Sequence, residues 1–294
     1  MMRFTSNDLK KTTAFEEMAC TGKTWSYNLY NIRPTPETGF LSQMSASKNI
    51  TANCSELPET SMMSFFHEQE YRIGIYEYGT TEQQSFSTVK NCPSVSSKWT
   101  ENYALWVSRK TANPDAKFFH YQDAEPFDKS GEWFDRSCQG RSCFADSHSN
   151  IVSLWERFKS EKGNHVFIIR DFSFYNALMD KKYLLARERL IEIEKTLSRF
   201  LFDTQTRKDS LILVTSSAAR HIELPENGPD WGDFEKNGTK ALFKHSALIS
   251  PVYSWGARAE NFCGLYDESE ILGRLLFTPR ENRLPLIFTE GFNL

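Results

Sequence analysis

Two cysteines lie close enough in the sequence to act together. The segment SCQGRSC contains Cys138 and Cys143, and His148 follows shortly after. Such a pair forms either a disulfide or part of a zinc site, and a structural zinc ion needs about four ligands. Because no second Cys or His pair completes that set, we favour a disulfide that forms late, after assembly or release. In a reducing compartment all six cysteines are predicted to be free thiols.

A second candidate site for catalytic or binding residues lies at the end of an apolar run. The stretch SLILVTSSAARHIEL, residues 210–224, begins with Leu211 to Val214, which predicts a buried strand of a parallel sheet. In α/β sheets, catalytic and binding groups collect beyond the carboxyl ends of such strands. Here Ser216 to Ala219 follow, and these small side chains neither bind metal well nor transfer a proton at neutral pH. The expected catalytic position therefore lacks catalytic groups.

Other chemistry-bearing residues give weaker signals. His245, Cys263 and Asp267 are near one another in sequence, but their spacing matches no catalytic motif. Four basic residues are candidates for a metal-free anion pocket, namely Arg170, Lys181, Lys182 and Arg220. We favour the alternative that they are solvated, or paired with nearby aspartates.

The elements that would position these groups alternate along the chain. The pattern predicts helices near residues 40–48, 61–70, 151–160 and 181–202, and a last helix with Ser269 as its N-cap. It predicts strands at 71–79, 165–169, 211–215 and 251–256, and a loop at 225–239. This alternation indicates an α/β layered fold.

Two segments show little periodicity. Residues 1–60 predict an extended, irregular N-terminal arm, and residues 91–147 predict a long irregular excursion that carries many aromatic residues. Aromatic side chains in polar sequence are typical of contact surfaces.

Composition excludes some classes of partner. The 294 residues include 35 basic and 38 acidic side chains, a net charge of −3, and no block of Lys or Arg. We therefore expect no nucleic-acid or membrane partner. The apolar runs are too short to cross a bilayer, and the polar N-terminus has no signal-like apolar region. These features predict a cytoplasmic or nuclear protein.

The C-terminal segment HSALISPVYSWGARAENFCGLYDESEI, residues 245–271, closely resembles the end of alkaline phosphatases. HVFIIRDFSFYNALMDKKYLLARERLIEIEKTL, DSLILVTSS and EYRIGIYEYGTTEQQSFS resemble the family's strands and long helix, and TGKTWSYNLYNIRPTPE more weakly resembles the lead into its nucleophile. The resemblance implies one domain over residues 1–294. Its expected fold is a three-layer α/β/α sandwich that lacks the family's first strand.

That family hydrolyses phosphate monoesters with two zinc ions, a magnesium ion and a serine nucleophile. The resemblance places Thr35 and Pro36 at the metal-binding Asp and the nucleophile, and Arg170 at the magnesium-binding Glu. It places Tyr175 and Met179 at a zinc-binding Asp and His, and Ser217 and Ala218 at the Asp-His pair. His245 is retained, and Ser85 is a candidate match for a hydroxyl ligand of magnesium. It implies an inactive protein with no metal or other cofactor.

These features predict a structural protein whose partner is itself. Its copies would form a homo-oligomer or lattice, with arm or strand exchange and intermolecular disulfides as candidate links. One concrete form is a crystalline matrix, such as the occlusion-body protein of an insect or crustacean virus, with assemblies released by reductant or alkali. Two alternatives stay open: a pseudophosphatase module that binds an anionic or phosphorylated ligand, and an active phosphomonoesterase.

Overall fold

The computed structural model describes residues 12–51, 61–87, 103–110, 112, 117–120, 131–141, 143, 146–160, 162–225, 228–244 and 247–276. Their strands are β1 (Cys20–Trp25), β2 (Arg72–Tyr78), β3 (Tyr103–Ser108), β4 (Lys117–Phe119), β5 (Gly131–Asp135), β6 (His165–Asp171), β7 (Leu211–Thr215), β8 (His221–Glu223), β9 (Leu242–Lys244), β10 (Ile249–Gly256) and β11 (Gly264–Asp267). Their helices are α1 (Ala14–Glu17), α2 (Pro36–Ser45), α3 (Met62–Glu68), α4 (Ser147–Phe158), α5 (Ser173–Met179), α6 (Tyr183–Thr204), α7 (Gly228–Asn237) and α8 (Ile271–Leu276). Three short 3-10 segments add Arg136–Cys138, Ala259–Phe262 and Glu268–Glu270.

The chain forms two compact units. The first contains residues 1–16, 53–200 and 221–244, and the second contains residues 17–52, 201–220 and 245–294. The single domain implied by the resemblance stays a prediction. No helix in the described ranges is long and apolar enough to span a membrane.

The first unit is built on a parallel sheet. Its strand order is β4-β5-β3-β2-β6, and every neighbouring pair is parallel. Helix α4 packs its apolar side chains Ile151, Leu154 and Phe158 into a core with Tyr76 and Trp106 of the sheet. The helix begins at Asp146, whose side chain accepts a hydrogen bond from the backbone N–H of Ser149. Short strands β8 and β9 form a separate antiparallel pair.

Two predictions for this unit are wrong. The irregular excursion predicted at 91–147 contains β3, β4 and β5, which make up most of the sheet. The loop predicted at 225–239 contains α7, in which Phe234 is fully buried. In both cases packing against distant residues overrides weak local propensity.

The second unit has a mixed sheet of order β11-β1-β10-β7. β1 is antiparallel to β10 and parallel to β11, while β7 is antiparallel to β10. The predicted extended arm is therefore wrong for this stretch, because β1 lies inside the sheet. The prediction that β7 is a buried strand of a parallel sheet is also wrong. Its residues are all half-buried, and its one neighbour among the described strands is antiparallel. An apolar run does not reveal the direction of the neighbouring strand.

The remaining elements agree with the sequence apart from their ends. The predicted helices at 61–70, 151–160 and 181–202 are α3, α4 and α6, and the helix near 40–48 is α2. The last helical segment begins at Asp267 rather than Ser269, because Asp267 and Glu270 form a reciprocal capping box. The predicted mixture of strands and helices is confirmed.

Candidate functional site

The predicted magnesium position lies at the carboxyl ends of β2 and β6 in the first unit. Glu77 and Arg170 are register partners on these parallel strands, so their side chains project side by side. Both are buried, and an Nη1 hydrogen of Arg170 is donated to Oε1 of Glu77 in an ion pair. Nη2 of Arg170 also donates to the carbonyl oxygen of Gln84 at 3.2 Å. The guanidinium is therefore held by oxygen atoms of its own unit.

Ser85, the candidate hydroxyl ligand, joins the same cluster. Its Oγ donates to Oε2 of Glu77 at 2.6 Å, and the backbone N–H of Phe86 donates to Oε1 at 2.7 Å. The guanidinium also lies over the rings of Phe86 and Phe172, with its carbon 5.9 Å and 5.2 Å from their centroids. The fold thus brings together two predicted positions, Ser85 and Arg170, through Glu77.

Glu77 itself was missed by sequence reasoning. A signal for it exists, because it is the one acid inside the apolar run RIGIYEYG. An acid in a strand that is buried on both faces requires a partner. The sequence does not say that this partner is Arg170, which lies 93 residues away.

The predicted nucleophile region lies in the second unit, where Thr35 and Pro36 start α2. Thr35 is its N-cap, and its Oγ1 accepts a hydrogen bond from the backbone N–H of Thr38 at 3.4 Å. Proline at the first helical position needs no hydrogen-bond acceptor. Both residues therefore have a local structural role as a helix start.

Ser217 and Ala218, the predicted counterparts of the family's Asp-His pair, follow β7 in the same unit. The carbonyl oxygen of Ser217 lies so close to α2 that a Cβ added to Gly39 would stand 1.8 Å from it. Gln43 of α2 links to this loop, because its Nε2 donates to the Ser216 carbonyl oxygen at 3.3 Å. Ala218 is buried. The loop is positioned by backbone packing rather than by ligand side chains.

Tyr175 and Met179 lie on α5 of the first unit. This helix begins where Asp171 accepts hydrogen bonds from the backbone N–H and the Oγ of Ser173, at 2.7 Å and 2.5 Å. Tyr175 is half-buried, while Met179 is exposed. Neither side chain offers the carboxylate or imidazole that zinc prefers.

Taken as ligands, the side chains at these positions do not fit a magnesium ion and two zinc ions. None of the seven positions that the resemblance assigned to lost site residues carries a carboxylate, imidazole or thiolate, and Arg170 brings a positive charge. The retained His245 lies outside the described residues, as does residue 246.

The contacts of the basic residues do not support the predicted anion pocket. Arg170 is neutralised by Glu77, and Lys182 forms an exposed ion pair with Asp180 at 2.9 Å. In the second unit, Arg220 donates to the carbonyl oxygens of Ala219 and Pro34. Lys181 has a φ of 57° in the turn that precedes α6.

Four cysteines form disulfides within the chain. Cys138 is bonded to Cys143, which confirms the favoured pairing, and Cys20 is bonded to Cys263, which was not predicted. The free thiols predicted for a reducing compartment are therefore not seen at these four, while intermolecular disulfides stay a prediction. Cys54 and Cys92 lie outside the described residues. Because Cys263 is bonded, it is not available to His245 and Asp267 as a nucleophile.

The second unit also contains a buried acid that sequence reasoning missed. Glu268 is fully buried, and neither carboxylate oxygen has a well-formed hydrogen bond to a described residue, although the side chains of Gln43 and Ser26 face it. Burial raises the pKa of this carboxyl to about 8, with a further rise from the Asp267 carboxylate. Gln43, Ser26 and Lys48 oppose the rise. Glu268 is therefore largely protonated at neutral pH.

Comparison with known proteins identifies the fold. No protein-family model matches the chain, and no curated protein matches it. The solved structure of alkaline phosphatase from the Antarctic bacterium TAB5 is similar, with a TM-score of 0.66, 13% identity, and 94% of this chain and 93% of that chain covered.

Two further alkaline phosphatases agree. The cold-active enzyme of Shewanella sp. gives a TM-score of 0.69 at 9% identity, with 92% of each chain covered. The Thermus thermophilus enzyme gives 0.68 at 9% identity, with 92% of this chain and 86% of that chain covered. At such identities the likeness establishes the fold alone. The chain has the α/β/α fold of the alkaline phosphatases.

Proposed function

We propose that this chain is a catalytically inactive protein on the alkaline phosphatase fold, and that it acts as a structural protein by associating with itself. The observation that carries the loss of activity is the buried pair of Arg170 and Glu77. A guanidinium at this position supplies internally the positive charge that a metal ion would bring. Because this guanidinium pairs with the Glu77 carboxylate, the one acidic side chain of the cluster is already engaged and is not free to bind a divalent ion.

The assay for inactivity measures turnover of a chromogenic phosphomonoester together with the zinc content of the purified protein. We expect turnover at the level of buffer. Turnover above that level with bound zinc would overturn the proposal. Binding of inorganic phosphate in calorimetry, without turnover, would instead favour the pseudophosphatase module.

Self-association is supported by an exposed apolar surface on the second unit. We name it the 25–32 surface; it consists of Trp25, Tyr27, Leu29, Tyr30 and Ile32. Its tip is strongly exposed, with Leu29 at 71%, Tyr30 at 58% and Ile32 at 69%. Beside it, Trp25 is the register partner of Ile249, another exposed apolar residue. Several exposed apolar side chains so close together in the chain are typical of an interaction site.

The loop at this tip is held in place rather than left free to collapse. Asn28 is buried, and its Oδ1 accepts hydrogen bonds from the backbone N–H groups of Tyr30 at 3.0 Å and Asn31 at 2.6 Å. Its Nδ2 donates to the carbonyl oxygen of Ile50 at 3.2 Å. The apolar side chains are therefore presented outward by a fixed turn, which lowers the entropy cost of binding.

Sedimentation of the full chain tests this association. We expect the wild type to form large assemblies and the triple variant L29S, Y30S, I32S to remain a monomer. The control is F202S, because Phe202 is 72% exposed but lies outside the 25–32 surface. A wild type that is monomeric at all concentrations, or a triple variant that assembles like the wild type, would contradict the proposal.

A crystalline matrix, such as a viral occlusion body, is one form that such association would take. A cytoplasmic or nuclear location is part of the same proposal, and it accommodates the two disulfides if these form after assembly or release. Release by reductant would then depend on cysteines other than the four that are paired within the chain.

A further inference from the structure

Three candidate metal ligands meet in the first unit. The side chains of Asp135, Cys138 and Cys143 have ligand atoms that all lie within 4.8 Å of one another. Asp135 and Cys138 are buried, while Cys143 is half-buried and can be reached from solvent. The sequence analysis identified only the two cysteines as candidate ligands, and the fold adds Asp135 as the third.

Local structure explains this meeting. Asp135 is the last residue of β5 and accepts a hydrogen bond from the backbone N–H of Ser137 at 2.8 Å, which starts the short 3-10 segment that ends at Cys138. Gly140 then adopts a φ of 68°, which reverses the chain and brings Cys143 back to Cys138.

The carboxylate of Asp135 is buried among neutral donors. Its Oδ2 accepts hydrogen bonds from Oγ of Ser108 at 2.9 Å and Nδ2 of Asn150 at 2.7 Å. Together with the Ser137 bond to Oδ1, these bonds orient the carboxylate and leave about one of its roughly four lone-pair sites, on Oδ1, for a cation. Within the described residues no ion pair neutralises it, so its negative charge favours a cation nearby.

Reduction of the disulfide would free two sulfur ligands beside this carboxylate. Two thiolates and one carboxylate match the ligand preference of zinc, and their three negative charges are offset to a net charge of −1 by the bound ion.

We propose that Asp135, Cys138 and Cys143 form a redox-gated zinc site, which binds zinc in the reduced protein and is closed by the disulfide in the oxidised protein. Zinc–sulfur bonds of about 2.3 Å and zinc–oxygen bonds of about 2.1 Å require ligand atoms about 3.5–3.8 Å apart. The three ligand atoms lie within 4.8 Å of one another, and reduction of the disulfide would free the two sulfur atoms to separate to that spacing. A water molecule on the exposed side of Cys143 completes four ligands.

The gating reaction balances with a low-molecular-weight thiol as reductant. Two thiol molecules reduce the Cys138–Cys143 bond: the protein gains two thiols, and the reagent becomes its own disulfide. Zinc binding then releases the two thiol protons and forms two zinc–sulfur bonds. A low-molecular-weight disulfide reverses the sequence, expels zinc and restores the protein disulfide.

The test uses the full chain, reduced with a phosphine, and cobalt(II) as a spectroscopic substitute for zinc. We expect a thiolate-to-cobalt charge-transfer band in the reduced wild type and none in the oxidised wild type. The band should be absent in C138S and retained in C263S, which removes a cysteine of the other disulfide. A reduced wild type without the band, or a C138S variant that keeps it, would overturn the proposal.

Two measurements test the role of Asp135. D135N should weaken zinc binding by about tenfold or more. Because this substitution also disturbs the hydrogen bonds to Ser108 and Asn150, X-ray absorption of the zinc-loaded wild type provides an independent measurement. Two sulfur atoms with two lighter ligands would support the site. Four sulfur atoms, or none, would refute it.

Discussion

Replacing Glu268 by glutamine should change how the stability of the protein depends on pH. Glu268 is fully buried in the second unit, and its carboxylate oxygens lack well-formed hydrogen bonds. Burial, and then the Asp267 carboxylate, raise its pKa from the ordinary 4.5 to about 8. The charged groups that face it are Asp267 and Lys48, which form an ion pair with each other.

The direction of the change in stability follows from the pH range in which the folded and the unfolded chain each bind the proton. Below pH 4.5 the carboxyl is protonated in both the folded and the unfolded chain, so it has its full stabilising effect. As pH rises from 4.5 to about 8, the unfolded chain loses the proton while the folded chain keeps it, and stability falls. Above that range both states are ionised, and no further loss comes from this group.

The difference between 4.5 and about 8 corresponds to a loss of about 5 kcal/mol, or about 1.4 kcal/mol for each pH unit. Glutamine resembles the protonated acid in shape and hydrogen bonding but cannot ionise. E268Q should therefore match the wild type near pH 4.5 and exceed its stability by up to about 5 kcal/mol near pH 8.

Urea unfolding at a series of pH values measures this difference. The matched control is E260Q, because Glu260 is an exposed glutamate in the same unit and should leave the pH profile unchanged. Other titrating groups affect both proteins equally, so the relevant quantity is the wild type minus E268Q. If the two stability curves run parallel between pH 5 and pH 8, Glu268 does not hold its proton on folding and the reasoning fails.

Two further predictions concern the packing of each unit. R170M should cost about 3–5 kcal/mol in urea unfolding, because it leaves the Glu77 charge buried without its partner. R170M combined with E77M should recover part of that loss, and equal losses in both variants would contradict the pairing argument. G39A should lower stability by about 1–3 kcal/mol or more, since its Cβ would stand 1.8 Å from the carbonyl oxygen of Ser217. The control G232A meets nothing within 4 Å, so it should be neutral or raise stability by up to about 1 kcal/mol, and an unaffected G39A would refute the contact.

Local periodicity predicted the elements whose signal lies in their own residues. The long helix α6 was predicted in place because its apolar residues fall mainly on one helical face, and strand β6 because its residues form a short apolar run. Strand β3 was missed, although all its residues are buried, because its stability depends on β2 and β5 beside it. The direction of neighbouring strands was predicted wrongly for the same reason. The apolar run of β7 contains no information about its antiparallel neighbour β10.

The candidate site divides in the same way. Sequence resemblance assigned Arg170 and Ser85 to a metal position, and the fold places both against Glu77. The sequence could not identify Glu77 as their shared partner, because an acidic residue in a buried strand indicates only that some partner is needed.

The sequence by itself determined the α/β character of this protein, most of its regular helices, and the kinds of side chain available at each predicted position. Tertiary structure alone decided which distant groups meet. It joins Cys20 to Cys263 across 243 residues, places Asp135 beside two cysteines, and buries the Glu268 carboxyl group. Residue type and local propensity act over a few neighbours along the chain, whereas burial, charge pairing and disulfide formation depend on distances in space that only the folded chain sets.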